Sequence, residues 1–418
     1  MNRYRSGRAL AALRLLLIGF VITQQAVGAD APAEPSQAAA AQTQPTHNSL
    51  TPDELAEGWI LLFDGETMFG WQANSKADWQ VADGVLSVSD GEPGLLNTTS
   101  PFADFRLKFD FRREEKTNSG VFLRTAAEPK DPKTDCYELN IAAADVSPFP
   151  TGSFVGRQKA SETVDAAGRW SAVDVTASGG HFVVTIDGRA ALDYTDAKPL
   201  PRGRIGLQFN GGKIEFRDIK LKPLGLEDLL AGNTGPPSEP VAGWKVFPGK
   251  NSTFTITDGT LNVKGGNGQL ESGPKFGDFV LQTEVFSNGE HLNSGIFFRC
   301  IPGEFMNGYE CQIQNGFKDG DRTKPIDCGT GGFYRRQEAR RVMADDFKWF
   351  PLTLVVAGNH MAAWVGGYPV SDWTDTRAGH ENPRKGLRLE PGTLAIQGHD
   401  ATTDLSFRRL RAAEMPGR

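Results

Sequence analysis

The strings NSGVFLRT (118–125) and NSGIFFRC (293–300) are near-copies within one chain of 418 residues, and they do not stand alone. WQVADGVLSV (79–88) answers FTITDGTLNV (254–263), and FADF (102–105) answers FGDF (276–279). CYELNI (136–141) answers GYECQI (308–313), and TGSFVGRQ (151–158) answers TGGFYRRQ (330–337). Trp170, His181 and YTD (194–196) match Trp349, His360 and WTD (373–375), and IGLQFN (205–210) matches LAIQGH (394–399). Nine matches in the same order exclude coincidence, so the chain is two copies of one unit. A period this long excludes solenoids and propellers, whose units cannot bury a core alone.

Each copy reads as short runs of alternating Val, Ile, Phe and Leu punctuated by turn residues, such as the DG pairs at 83–84 and 258–259 and IDG at 186–188. That pattern predicts an all-β chain made of two tandem concanavalin- or lectin-like jelly-roll β-sandwich domains. The first spans 51–222 and the second, shortened, spans 241–418. The second lacks a counterpart to ETMFGWQANSKAD (66–78), since GWKVFPG runs almost directly into the FTITDG strand. Between them 223–240 is a linker with one helical stretch at 224–231.

Ahead of the first copy, MNRYRSGRALAALRLLLIGFVITQQAVGA carries Arg3, Arg5, Arg8 and Arg14, a short apolar run and small residues at Val27 and Ala29. Residues 1–29 therefore read as a secretory signal peptide, placing the chain in the periplasm or outside the cell. The apolar run is shorter than the ~20 residues that span a bilayer, and no transmembrane segment follows it. Residues 30–50, rich in Ala, Gln and Pro, read as a disordered spacer. The formal charge of −6 becomes −10 when those four arginines are removed. An acidic chain without a basic cluster is no candidate for nucleic acid. Cys136, Cys300, Cys311 and Cys328 are too few for a disulfide scaffold, although one pair in the second half is open. CxxC and HExxH zinc patterns are absent. KDGDRTKPID (318–327) is a candidate loop for a divalent cation such as calcium, its plainer reading being a solvated acidic turn.

Side chains alternate across a strand, so each motif sorts into two faces. In the first copy Asn118, Gly120, Phe122 and Arg124 share one face; in the second Asn293, Gly295, Phe297 and Arg299 do. Glu310, Gln312 and Gln314 stand opposite Tyr309, Cys311 and Ile313, and the first copy gives Glu138 and Asn140. Gln397 and His399 align, as do Gln208 and Asn210. Brought into one sheet, these residues line a groove with an aromatic ring, a cation, a carboxylate and several amides, which suits a sugar. The glycines leave room for a ligand. The competing reading is the ordinary polar outer face of an antiparallel sheet, with Arg and Glu as a solvated cross-strand pair. His181 and His360 sit in GGH and GNH turns, where a capping role is the plainer reading.

GWILLFDGETMFGW, NSGVFLR, YELNI, TGSFVGRQ and IGLQFNGGKIEFRDIKLK together resemble the 3-keto-disaccharide hydrolase family. The resemblance covers 57–222 and, more weakly, 241–412. It implies a concanavalin-like sandwich, export, and action on glycosides oxidised at C3. The family often carries a His after the IGLQ strand; the second copy keeps His399, whereas the first has Asn210. A C3 ketone acidifies the C2 hydrogen, so an enolate can expel the C1 substituent and water can then add back. This chemistry needs a base, an enolate-stabilising cation and a proton donor. By face assignment Glu310 is the base, Arg299 the stabiliser and His399 the proton donor or the partner of the base. Asn293, Phe297, Gln312, Gln314 and Gln397 hold the sugar. In the first copy Arg124, Glu138, Asn140, Gln208 and Asn210 make a matching binding surface. The alternative is a non-catalytic tandem carbohydrate-binding protein.

Overall fold

The computed structural model describes residues 47–162, 164, 167–231 and 243–417. The segment expected to be a signal peptide, most of the expected spacer, and residues 232–242, which include the second half of the expected linker, lie outside the described residues. The last spacer residues do not behave as a spacer: His47 Nδ1 lies 2.6 Å from Asp218, and Asn48 Nδ2 donates to the Gly84 carbonyl at 2.9 Å.

Each half is a sandwich of one five-stranded and one eight-stranded sheet, and every described strand pairing is antiparallel. In the first half the small sheet runs Trp71–Ala73, Gly94–Thr98, Arg204–Phe209, Asn118–Thr125, Tyr137–Ala142. In the second it runs Trp244–Val246, Gly268–Phe276, Gly392–Gly398, Ser294–Cys300, Tyr309–Ile313. The predicted all-β tandem jelly-roll architecture is the one observed. Phe105–Arg113 shows why it forms: Phe105, Leu107, Phe109 and Phe111 are buried while the residues between them are partly exposed. This period-two pattern can bury only one face against the opposing sheet.

The linker is where the expectation fails. Residues 224–231 form no helix; Glu227–Asp228 is a short strand on Asp404–Glu414, matching Ile60–Leu61 on Ile214–Pro223 in the first half. The reported gap in the second copy closes accordingly. Trp71 Nε1 donates to the Leu62 carbonyl at 2.6 Å, and Trp244 Nε1 donates to Leu229 at 3.0 Å. Trp244 is thus the counterpart of Trp71, both on the edge strand of their small sheets. The first copy contains two Gly-Trp pairs, 58–59 and 70–71, and the lone pair at 243–244 corresponds to the second of them. The four cysteines are buried and free, so the pairing left open in the second half is not seen.

The halves are joined face to edge. Val280, Val355, Ala362 and Trp364 from the large sheet of the second half belong to the hydrophobic core of the first. Backbone groups are satisfied across the junction: Leu61 N–H donates to Gly367 O at 2.8 Å, Trp364 Nε1 to Leu61 O at 2.8 Å, and Gln282 Nε2 to Gly58 O at 2.7 Å. Arg340 reaches the buried Asp64 at 2.5 Å, and Arg202 reaches Asp278 at 2.6 Å. Among the described residues no helix is long and apolar enough to cross a membrane.

Candidate functional site

The outward face of the small sheet carries the predicted polar layer. In the second half Glu310 pairs across from Phe297, Phe297 from Ala395, and Ala395 from Glu271. In the next row Gln312 pairs with Gly295, and Gln397 with Gln269. Ile296, Phe298, Ile313, Leu394 and Ile396 point the other way into the core. Gly295 serves the carboxylate directly, because a Cβ there would stand 2.8 Å from Glu310 Oε1.

Arg299 does not reach this face, and neither does Arg124. Both have φ of +48°, and at both the register shifts: four residues, Phe297 to Cys300, oppose three, Ala395 to Thr393. The first half repeats this at Phe122 to Thr125 against Gly206 to Arg204. A bulge with a left-handed residue inverts the alternation, so the arginine turns inward and Cys300 takes the groove side beside Phe297. Arg299 is fully buried, donating to the carbonyls of Gly277, Gly358 and Arg388 at 3.1, 2.6 and 3.0 Å and to Asp278 at 2.8 Å. Arg124 does the same with Ala103, Gly179, Leu200 and Asp104. These two residues tie loops together, and the role of enolate stabiliser expected of Arg299 has no geometric basis.

The groove has a different cation. Arg384 donates to Glu310 Oε2 at 2.9 Å and to the Met306 carbonyl at 3.2 Å. Its guanidinium lies 4.9 Å from the ring centre of Phe297 and 5.3 Å from that of Tyr334, close enough for cation–π attraction. Burial pushes the Glu310 carboxyl above the usual carboxylate range. Arg384 opposes that rise, Asp327 adds to it, and His399 opposes it in turn. His399 stands at the rim, 41% exposed, with Nδ1 2.8 Å from Asp400. Hydrogen bonds from Thr402 and His399 hold the Asp400 carboxyl down to about 2.

The amides divide. Gln312 Nε2 donates to Asn293 at 2.9 Å, and Asn293 Nδ2 to Asp327 at 2.7 Å. The side-chain oxygens of Gln312 and Gln397 are buried without a hydrogen-bond partner, an unfavourable state for an acceptor that a ligand hydroxyl would relieve. Gln314 is already committed, accepting from Gly316 N–H at 2.5 Å and reaching His291 O at 3.4 Å, so it has no amide to offer a sugar. Asn140 is likewise committed, to Ser147 at 3.1 Å and Phe149.

The first half repeats the floor without the cation. Glu138 pairs across from Phe122, Gln208 from Leu95, and Asn97 from Gly206. Burial pushes the Glu138 carboxyl up to about 7, opposed only by a hydrogen bond from Gln208. Asn210 is exposed at the position matching His399, its backbone N–H donating to Asn118 O at 3.2 Å. The loop 318–327 gathers no carboxylates: Asp321 accepts from Thr323, Lys324 lies 3.6 Å from both Asp319 and Asp321, and Asp327 turns to Asn293. The one His and carboxylate triad among the described residues close enough for a shared ion is His47, Asp110 and Asp218. Arg217 already lies 3.2 Å from Asp110 there. His181 and His360 begin their strands and bond to Asp193 and Thr374 across the pairing.

Sequence reasoning missed Arg384, Tyr334 and Asp327. Tyr334 lies within the TGGFYRRQ string, whose first-copy counterpart has Val155. Arg384 sits in a segment, Asp375 to Gly392, that is ten residues longer than Asp196 to Gly203. A comparison of the two copies is blind to it.

Each half is thus a jelly-roll sandwich whose smaller sheet carries a buried polar layer on its outward face. More particularly, residues 58–222 and 238–412 each match the 3-keto-alpha-glucoside-1,2-lyase-like domain, and the chain belongs to that family. A curated relative from Bacteroides thetaiotaomicron, named 3-keto-disaccharide hydrolase, is 23% identical over 230 residues, covering 40% of this chain and 79% of its own. Among solved structures, a Parabacteroides distasonis protein described as a candidate glycosyl hydrolase is 22% identical with a TM-score of 0.39. That match covers 43% of this chain and all of the other. A carbohydrate-binding module from Bacillus subtilis is 15% identical with a TM-score of 0.30, covering 36% and 94%.

Proposed function

We propose that the second-half groove cleaves glycosides whose sugar carries a ketone at C3, by elimination followed by hydration. One observation carries this reading: a buried carboxylate and a guanidinium 2.9 Å apart on a sheet face that also presents an aromatic ring and unpartnered amide oxygens. Glu310 takes the C2 proton, and the electron pair of that C–H bond becomes the enolate whose oxygen, at C3, accepts from Arg384. Collapse of the enolate restores the C3 carbonyl, forms the C1–C2 double bond and breaks the bond from C1 to the departing oxygen. That oxygen takes a proton from His399. Water then adds its hydroxyl to C1 and gives its remaining proton back to His399, while C2 regains a proton from Glu310, so the sum is hydrolysis and both groups return to their starting states. Arg384 thereby takes the part that sequence reasoning gave to Arg299. Phe297 lies beneath Arg384, and the oxygens of Gln312 and Gln397 accept from sugar hydroxyls.

The test is Glu310→Gln in the full chain, assayed by release of the C1 substituent from a 3-keto-glycoside. Loss of a general base predicts a fall of about 10²–10⁴-fold. Undiminished release by Glu310→Gln refutes the assignment.

A further inference from the structure

The two grooves differ in what they can donate and accept. In the second, Arg384 supplies N–H groups that a carbonyl oxygen can accept. In the first, the segment from Asp196 to Gly203 is ten residues shorter than the one that carries Arg384, and no cation is among the influences on the Glu138 carboxyl. What the first groove offers instead is acceptors. Asn97 is 1% exposed, its Nδ2 is spent on the Ala127 carbonyl at 3.1 Å, and its Oδ1 is buried without a partner. That oxygen stands over Gly206, where an added Cβ would lie 2.7 Å from it. Gln208 Oε1 is the second buried oxygen without a partner. It stands over Gly120, 3.5 Å from where a Cβ would sit. Phe122 and Leu95 lie beside them as a small apolar floor.

We infer that the first-half groove is a separate, non-cleaving binding site for a neutral, unoxidised sugar, held by hydroxyl groups that donate to Asn97 Oδ1 and Gln208 Oε1. A hydroxyl can satisfy such an oxygen, whereas a ketone at the same carbon has no hydrogen to give. A hydroxyl also replaces any water at these positions without loss of a hydrogen bond. An anion is disfavoured, because the floor presents two acceptor oxygens and the carboxyl of Glu138, a group with no cation among the causes of its raised pKa. Arg204 pairs across from Thr125, beyond the bulge and four residues along the strand from Gln208. With neither Arg384 nor His399 matched, the site binds and does not cleave. That the site does not cleave rests on the catalytic reading of the second half; that it binds does not.

The experiment is calorimetric titration of the full chain carrying Glu310→Gln, which removes turnover, with cellobiose, maltose and trehalose, and with glucuronate as the charged control. Binding of at least one neutral disaccharide is expected, with glucuronate weaker. Asn97→Ala and Gln208→Ala, each checked for folding by its melting temperature, weaken that binding about five- to tenfold, the worth of one neutral hydrogen bond. The inference is overturned if no neutral disaccharide binds at millimolar concentration, if glucuronate binds as tightly, or if both folded variants bind like the parent while Gln397→Ala abolishes binding. Because the readout is affinity in a protein that does not turn over, its failure is distinct from retained cleavage by Glu310→Gln.

Discussion

Replacing Arg384 by Ala separates the second groove from the first more directly than any other change. Arg384 is the group that most opposes the burial-driven rise of the Glu310 carboxyl. The first half shows the outcome without it: Glu138, equivalent in place and burial but with no cation, is pushed up to about 7. In Arg384→Ala the Glu310 carboxyl should therefore rise further above the usual carboxylate range. A base works only when ionised, so activity increases with pH through this pKa, and raising it moves the acidic limb of the profile upward. Along that limb a growing share of enzyme is then inactive. The plateau falls too, since loss of a donor to a developing oxyanion costs about 10²–10³-fold, or roughly 3–4 kcal/mol. The assay is kcat/KM for a 3-keto-glycoside from pH 5 to 9. Loss of less than tenfold with the acidic limb unmoved would show that Arg384 neither stabilises the enolate nor sets the ionisation of Glu310.

Two further outcomes concern stability. Glu138 has a folded pKa raised from 4.5 to about 7, so the folded state holds a proton that the unfolded chain has lost between those values. Its contribution is intact below pH 4.5 and is lost as pH rises to 7, by roughly 3 kcal/mol from the size of the shift. Glu138→Gln should flatten that part of the melting-temperature profile, and an unchanged slope would refute the assignment. Arg299→Ala leaves three loop carbonyls without their donor and takes one of its two arginine partners from Asp278, which keeps Arg202. It should cost about 3–5 kcal/mol in denaturant titration, and a loss under 1 kcal/mol would show that the loops hold without it.

The fold and half of the groove were legible because period two is strict wherever a strand is regular. Glu310, Gln312 and Gln397 fall on the groove face as alternation requires, with Ile296, Cys311 and Leu394 opposite. Arg124 and Arg299 were misplaced because one left-handed residue per copy resets the alternation, and nothing in NSGxFxR announces it. The glycines that face the bulges could have served as a signal. A Cβ at Gly203 or Gly392 would fall 2.1 Å or 2.4 Å from the backbone carbon of Arg124 or Arg299, so only glycine admits so close a crossing. Arg384 was invisible for the opposite reason: comparing two copies finds what they share, and the cation lies in what only one of them has. The mistaken gap after GWKVFPG (243–249) came from two similar Gly-Trp pairs competing for one partner, a choice that the Trp71 and Trp244 ring hydrogen bonds decide.

The junction sets a mechanical limit on any glycan long enough to touch both grooves. Because Trp364 is sunk into the neighbouring core and Leu61, Gly58 and Asp64 are all bonded across the seam, the distance between the two grooves is a fixed ruler. A flexible tether gives a graded gain in avidity over a range of ligand lengths, whereas a rigid span rewards chains that match it and gives nothing to shorter ones. Retention plotted against oligosaccharide length should accordingly rise in a step.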